Sequence, residues 1–203
     1  MSPQAAGATD TGPAEIALSK GIHLPLEIVT ATIAVLANRG GGKSAVTHRL
    51  VELMHTAGLP VVVLDVKGDW WGIRSNADGT GPGLPFVIFG GDHEDIPLEP
   101  AAGQLLADLI VDDRIPAVLD LSHMSKNQAR TFATAFAERL YHRNRDPLHV
   151  VIEEADVLVP QRTSADTARL LVATEDLAKR GRHRGIGLTV VSQRHIRRRL
   201  SPS

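Results

Sequence analysis

VLANRGGGKSAV, residues Val35 to Val46, marks the point where an apolar run stops and a helical pattern begins. Three consecutive glycines, a lysine and a serine offer no packing surface, so the stretch is not there to fill a core. Its flanks give it meaning. Thr32–Leu36 is short, β-branched and nearly continuous in apolar residues, as expected for a strand covered on both faces. Lys43–Thr56 places Val46, Leu50, Leu53 and Met54 on one side of a helix. A glycine-rich turn from strand into helix aims successive backbone N–H groups at one point, and the helix adds its positive end. The stretch therefore reads as an anion site.

The same alternation continues along the chain. Further strands are expected at Val61–Asp65, Phe86–Phe89, Ala117–Leu121, Val150–Glu153 and Leu188–Ser192. Between them, Gly103–Val111 is leucine-rich, and Gln128–His142 repeats Phe132, Phe136 and Leu140 at intervals of four. Ala165–Arg182 carries Leu170, Leu171, Ala173, Leu177 and Ala178 at helical spacing. Strands and helices in this order imply an α/β fold, a mainly parallel sheet with helices on both faces and right-handed crossovers. Ligands of such sheets sit beyond the carboxyl ends of the strands, so the loops after each strand are the ones to inspect. Asn76–Pro85, NADGTGPGLP, reads as a turn-rich connection inside one domain.

Ala37-Asn38-Arg39-Gly40-Gly41-Gly42-Lys43-Ser44 has the spacing of a Walker A loop, with alanine at the first glycine position. The expected nucleotide contacts run from Ala37 through Asn38, Arg39, Gly40, Gly41, Gly42, Lys43 and Ser44 to Ala45. Lys43 would reach the β and γ phosphates of ATP, and Ser44 would bind Mg²⁺. Hydrolysis needs more: one carboxylate for the metal shell and one to polarise water. HVVIEEAD, His149 to Asp156, supplies both at the end of a strand, with Glu153 on the metal side and Glu154 as the base. Glu153 stands where aspartate is commoner, and its extra methylene moves the carboxylate outward by roughly 1.5 Å. Contact through a water would accommodate this, since Mg²⁺ keeps several of its own. Gln193 closes the last strand, where a polar side chain can sense the γ-phosphate. Arg182, within KRGRHR, is the candidate for an arginine delivered to a neighbouring subunit's site, and arginines ending a helix equally suit its negative pole.

Composition sets outer limits. The chain has 203 residues, 43% of them hydrophobic, and a net charge of −1, which suits one globular domain with a real core. There is no cysteine, so disulfides and thiolate metal sites are excluded. No apolar run is long enough to span a membrane, and the N-terminal MSPQAAGATDTGP lacks the basic start and apolar centre of a secretory signal. A cytoplasmic location with no membrane partner is the expectation. Residues 1–23 are expected to form a flexible leader, 24–194 the ATPase domain and 195–203 a basic tail. No acidic residue follows Asp176, whereas Lys179, Arg180, Arg182, Arg184, Arg194, Arg197, Arg198 and Arg199 do. A basic end on an acidic body suits a polyanion, an acidic neighbouring subunit or a merely solvated tail. Among the other polar residues, Asp65, Lys67 and Asp69 follow the second strand, beside Trp70 and Trp71. They suit either a local ion-paired turn or contact with a neighbour's nucleotide or DNA, and the tryptophans suit packing better than base stacking. His48, His55 and His93-Glu94-Asp95 show no metal-ligand spacing.

Taken in order, ANRGGGKS, DVKGDWWGIR, FVIFGGDHEDIPLE, VLDLSHMSKNQARTFATAFAERLY, VVIEEADVLVPQR and LAKRGRHRGIGLTVVSQR resemble bacterial HerA-type ATPases, which belong with FtsK among RecA-like P-loop motors. The resemblance covers Leu24 to Arg194. It implies a RecA-like P-loop NTPase of the additional-strand, catalytic-glutamate type, with one strand inserted between the two Walker strands. It also implies a ring of self-associated copies, six in number, with ATP at each interface, acting on duplex DNA beside a nuclease partner. Lys43, Ser44, Glu153, Glu154, Gln193 and Arg182 match the family's phosphate, magnesium, acidic, sensor and trans-acting positions. Two departures stand out. Relatives usually read SQRP or TQRP and continue into another helix and strand, whereas this chain reads SQRHIRRRLSPS, which suggests shortening at the C-terminus. There is also no room before Leu24 for the small β-barrel of full-length HerA proteins.

Two functions fit these residues. One is a Mg²⁺-dependent ATPase acting as a DNA translocase or helicase. The other is a nucleotide-binding module with little turnover, acting through a partner or as a shortened fragment. A metabolic P-loop kinase would need a small-substrate pocket and a lid, and no segment reads as either.

Overall fold

The computed structural model describes residues 15–37, 41–76, 78–158 and 165–192. An antiparallel hairpin comes first, β1 (Glu15–Ser19) and β2 (Ile22–Pro25), turning at Gly21 with φ +85°. The alternating sequence strands and helices follow: β3 (Thr32–Leu36), α1 (Lys43–Thr56), β4 (Val61–Asp65), β5 (Val87–Phe89), α2 (Gly103–Asp113), β6 (Ala117–Asp120), α3 (Lys126–Arg143) and β7 (Leu148–Ile152). The short α4 (Ala155–Leu158), then α5 (Ala165–Arg180), lead into β8 (Ile186–Ser192). The structure corrects one expectation here. Residues from Glu15 on, expected within a leader of residues 1–23, are instead paired in the hairpin, and Ile16 is only 4% exposed within a core cluster.

The main sheet has six strands in the order β3-β8-β7-β4-β6-β5, and every pairing is parallel. It fits the strand that opens the glycine turn (β3) and the strand that ends in two glutamates (β7) on either side of β8. The inserted strand expected from the resemblance is thus β8. Two cores cover the faces. On one, α2, α3 and α5 pack Leu106, Ile110, Phe132, Phe136, Leu140 and Leu177 against Leu64, Leu119 and Val150. On the other, α1, the hairpin and Trp70 pack against Val61, Val63, Val118 and Val151. β4 and β7 are buried along their whole length, which explains their continuous apolar sequence. Each fully buried Leu or Phe contributes about 2 kcal/mol relative to exposure.

α3 starts two residues before the expected point, because Ser125 and Gln128 form a reciprocal cap: the Gln128 amide donates to Ser125 Oγ, and the Ser125 amide donates to Gln128 Oε1. α5 stops at Arg180, and Gly181–Arg184 tightens into a 3-10 turn that Gly185, φ +73°, closes. There is no room at Gly185 for a side chain, since the backbone of Asp146 and Pro147 lies where a Cβ would be.

Candidate functional site

Strand β3 delivers Ala37 to the carboxyl edge of the sheet, and α1 leaves from Gly42, whose φ of +75° is the left-handed conformation that favours glycine. Gly41, Gly42 and Ser44 are exposed, and α1 carries no acidic residue in its first turn to compete for its positive end. Lys43 is 8% exposed and folds back so that Nζ donates to the Ala37 carbonyl at 3.1 Å. The lysine thus returns its ammonium to the residue that follows β3 and opens the turn. Thr47 anchors the first turn by donating to the Lys43 carbonyl at 2.9 Å. Asn38, Arg39 and Gly40 lie outside the described residues.

The acidic pair stands two strands away, about 10 Å at ordinary strand spacing. Glu153 and Glu154 are both buried, 4% and 5% exposed. The Glu153 amide donates to the Leu64 carbonyl at 3.1 Å, which continues the sheet past its last strand residue. Among the described residues Glu153 Oε2 has no hydrogen-bond partner, though it is buried. Burial pushes this carboxyl above the usual glutamate range; Glu154 and Asp65 add to the rise, while Lys67 and Lys43 oppose it. A buried carboxylate oxygen with nothing to bond is what a hard divalent cation or its water shell satisfies. The exposed Ser44 hydroxyl, at the start of α1, would be the second oxygen. The residues therefore fit Mg²⁺.

Glu154 sits in the left-handed region at φ +48°, a conformation that costs a non-glycine residue about 1 kcal/mol and clusters at functional sites. Its Oε1 is met by the Lys67 ammonium. Lys67 was expected to serve either a local turn or a neighbour. Its described partner is instead the candidate base. The loop that carries it is fixed by Asp65, which is fully buried and accepts the amides of Lys67 and Trp70 at 2.9 Å each. Burial pushes the Asp65 carboxyl up, against those amide bonds. Asp120 does the same work at the end of β6, accepting the Ser122 amide at 2.8 Å. The pairing of these two aspartates was missed in the sequence, although Val-Leu-Asp occurs at both 63–65 and 118–120.

The adjacent tryptophans divide their duties. Trp70 is buried and stacks on His48 of α1 at 3.9 Å between ring centroids, and burial lowers that imidazole's affinity for a proton. Trp71 is 43% exposed and stacks on His93 at 4.1 Å. Gln193 lies outside the described residues; the residue before it, Ser192, donates to Asp156 at 3.1 Å and pairs with Leu36. Arg182 is exposed and lies before the first residue of β8. The strand's seven residues put it roughly 20 Å from the carboxyl edge, so it does not reach the chain's own phosphate loop. His149 also escaped sequence reading. It is fully buried, with Nδ1 2.7 Å from the Val29 carbonyl and Nε2 2.7 Å from Thr189 Oγ1.

A parallel sheet with its phosphate-loop strand and its acid-ended strand separated by one other, and with a lysine-led helix after a glycine turn, defines a RecA-like P-loop NTPase fold. The family model "Helicase HerA, central domain" matches residues 17–88. Among solved structures, VirB4 of Thermoanaerobacter pseudethanolicus shares the fold at a TM-score of 0.55 and 15% identity, over 93% of this chain and 79% of that one. The pCW3 conjugation coupling protein TcpA, in its monomer form with ATPγS, aligns at 0.47 and 18% over 92% of this chain. The chain spans about half of TcpA's length, 49%. The genome packaging NTPase B204 of Sulfolobus turreted icosahedral virus 2, with ATPγS, aligns at 0.47 and 15%, over 82% of this chain and 67% of its own. No curated protein matches the sequence.

Proposed function

We propose that the chain binds ATP with Mg²⁺ at the β3–α1 turn and hydrolyses it, as the ATPase domain of a HerA-type DNA translocase or helicase. One observation carries the reading. The buried ammonium of Lys43 and the unpartnered buried oxygen of Glu153 stand on the same sheet edge, about two strand spacings apart. Lys43 and the amides at the start of α1 would hold the phosphates. Ser44 and Glu153 would hold Mg²⁺, which supplies charge neutralisation of the transferring phosphoryl group. Glu154 would accept the proton of the attacking water, and Gln193 would contact the γ-phosphate. Because Arg182 is remote from its own loop, it would serve a neighbouring copy, which accords with a ring, of six copies by resemblance, around duplex DNA. A nuclease partner and a cytoplasmic setting rest on the same resemblance.

The test is steady-state ATP hydrolysis across protein concentrations, with and without duplex DNA, beside Lys43→Ala. Turnover that rises with both, and falls at least about a hundredfold in the variant, is expected. A second reading, a nucleotide-holding module with little turnover, is favoured by the Lys67–Glu154 contact, which occupies the base. Nucleotide binding by wild type with hydrolysis no faster than Lys43→Ala would establish it instead.

A further inference from the structure

We propose that Lys67 is a positioning residue for Glu154: its ammonium holds the carboxylate off the attacking water, and loading of the phosphate site opens the contact. The inference rests on the ATPase reading and adds its control.

A general base must lie within hydrogen-bond reach of the water it deprotonates, and an ammonium bonded to its oxygen both turns the carboxylate away and weakens it as a proton acceptor. Glu154 has little freedom of its own. Its side chain is 7% exposed and its backbone is held at φ +48°. Lys67 differs, since its side chain is 39% exposed and its four-carbon stem can swing toward solvent. Only the ammonium end is free to move. The backbone beneath it is fixed by the Asp65 bonds to Lys67 and Trp70. Gly68, at φ +80°, is wedged so tightly that a Cβ there would lie 3.0 Å from Ser122 Oγ and 3.1 Å from Asp120 Oδ2.

The same loop touches the phosphate helix. Trp70, three residues beyond Lys67, stacks on His48, and His48 lies four residues beyond Ser44, on the same side of α1. A shift of the first turn of α1 on binding phosphates is therefore transmitted to the rigid loop from which Lys67 reaches Glu154. The chain of contact runs from Ser44 through His48 and Trp70 to Lys67 and Glu154.

A double-mutant cycle on the full chain tests this without relying on turnover. Melting temperatures are measured for wild type, Lys67→Met, Glu154→Gln and the double variant, each without nucleotide and with Mg²⁺ and a non-hydrolysable ATP analogue. Without nucleotide the two substitutions are expected to be non-additive by about 3 °C, and with the analogue bound the coupling is expected to vanish. Additive effects without nucleotide would overturn the contact, and coupling that persists with the analogue demonstrably bound would overturn its release. Steady-state kinetics give the second readout: because loading already opens the contact, Lys67→Met lowers KM severalfold while kcat at saturating ATP changes little, and Lys67→Arg keeps the wild-type KM. A fall in kcat to the level of Glu154→Gln would overturn the restraint. The ATPase reading fails separately, when no variant's melting temperature responds to nucleotide while the coupling without nucleotide persists; release of the latch by loading then falls with it.

Discussion

His149 is a titratable side chain placed where charge cannot be supported. Its ring is enclosed between the Val29 carbonyl and the Thr189 hydroxyl, and burial lowers its pKa to about 4 from 6.5. The folded chain therefore keeps the imidazole neutral over an interval in which the unfolded chain protonates it. The unfolded state binds the extra proton between about pH 6.5 and 4, so stability falls as pH drops through that window, by about 3 kcal/mol in total. His149→Leu is expected to cost about 2 kcal/mol at pH 8, because two buried polar partners are orphaned, and to flatten the acid limb. Urea denaturation of both proteins at pH 8, 6 and 4.5 reads this directly. Parallel acid limbs in the two proteins would rule the histidine out as its source. The residue was visible in the sequence as a lone polar position in LHVVI, yet a single sequence does not say which carbonyl and hydroxyl will meet it. Lys43, Ser44, Glu153 and Glu154 were legible because their motifs fix both spacing and element. Lys67 was not, because its partner lies 87 residues away.

At the scale of elements, the continuous apolar strands and the lysine-led helix were readable because burial on both faces leaves a local mark. Thr32–Leu36, Lys43–Thr56 and Val61–Asp65 are found with the expected bounds. The β1–β2 hairpin was overlooked although its alternation is plain: Ile16 and Leu18, then a turn at Gly21, then Ile22 and Leu24. Its register matters for what lies beneath. The segment Leu26–Thr30 that follows the hairpin is pressed onto β7 and β8, and Gly187 is the place where its backbone comes closest. A Cβ on Gly187 would collide with the Val29 carbonyl and crowd His149 Nδ1. Gly187→Ala is therefore expected to cost about 3 kcal/mol by displacing the segment and breaking the His149 bridge. Hydrogen exchange of the His149 and Leu188 amides, which donate to Pro60 and Ala31, would report where the damage falls. A variant as stable as wild type would show that the segment can move aside freely. By contrast, Ser125→Ala removes one half of a cap at the exposed start of α3 and should cost only about 1 kcal/mol.

At the scale of the whole molecule, the question is which end of the sheet faces a neighbour. The phosphate loop and the acidic pair lie at the carboxyl edge, whereas Lys179, Arg180, Arg182 and Arg184 gather around the amino end of β8. Of these, Lys179 and Arg180 pair with Glu175 and Asp176, and Arg184 lies over the Tyr141 ring at 5.4 Å. Arg182 is exposed and has no ion pair among the described residues. One strand length from its own glycine turn, Arg182 would contribute to the proposed catalysis only in another copy's site. That geometry makes a sharp prediction for mixtures. Lys43→Ala and Arg182→Ala should each abolish turnover alone, the first by losing the phosphate lysine and the second by losing the donated cation. When the two inactive chains are mixed in equal amounts, some interfaces join an intact loop from the Arg182→Ala chain to an intact arginine from the Lys43→Ala chain. Random head-to-tail assembly restores about a quarter of the sites, and activity should recover toward that fraction as concentration rises. A mixture that assembles with wild-type affinity yet remains inactive would remove Arg182 from the reaction, leaving the basic turn free to face nucleic acid instead.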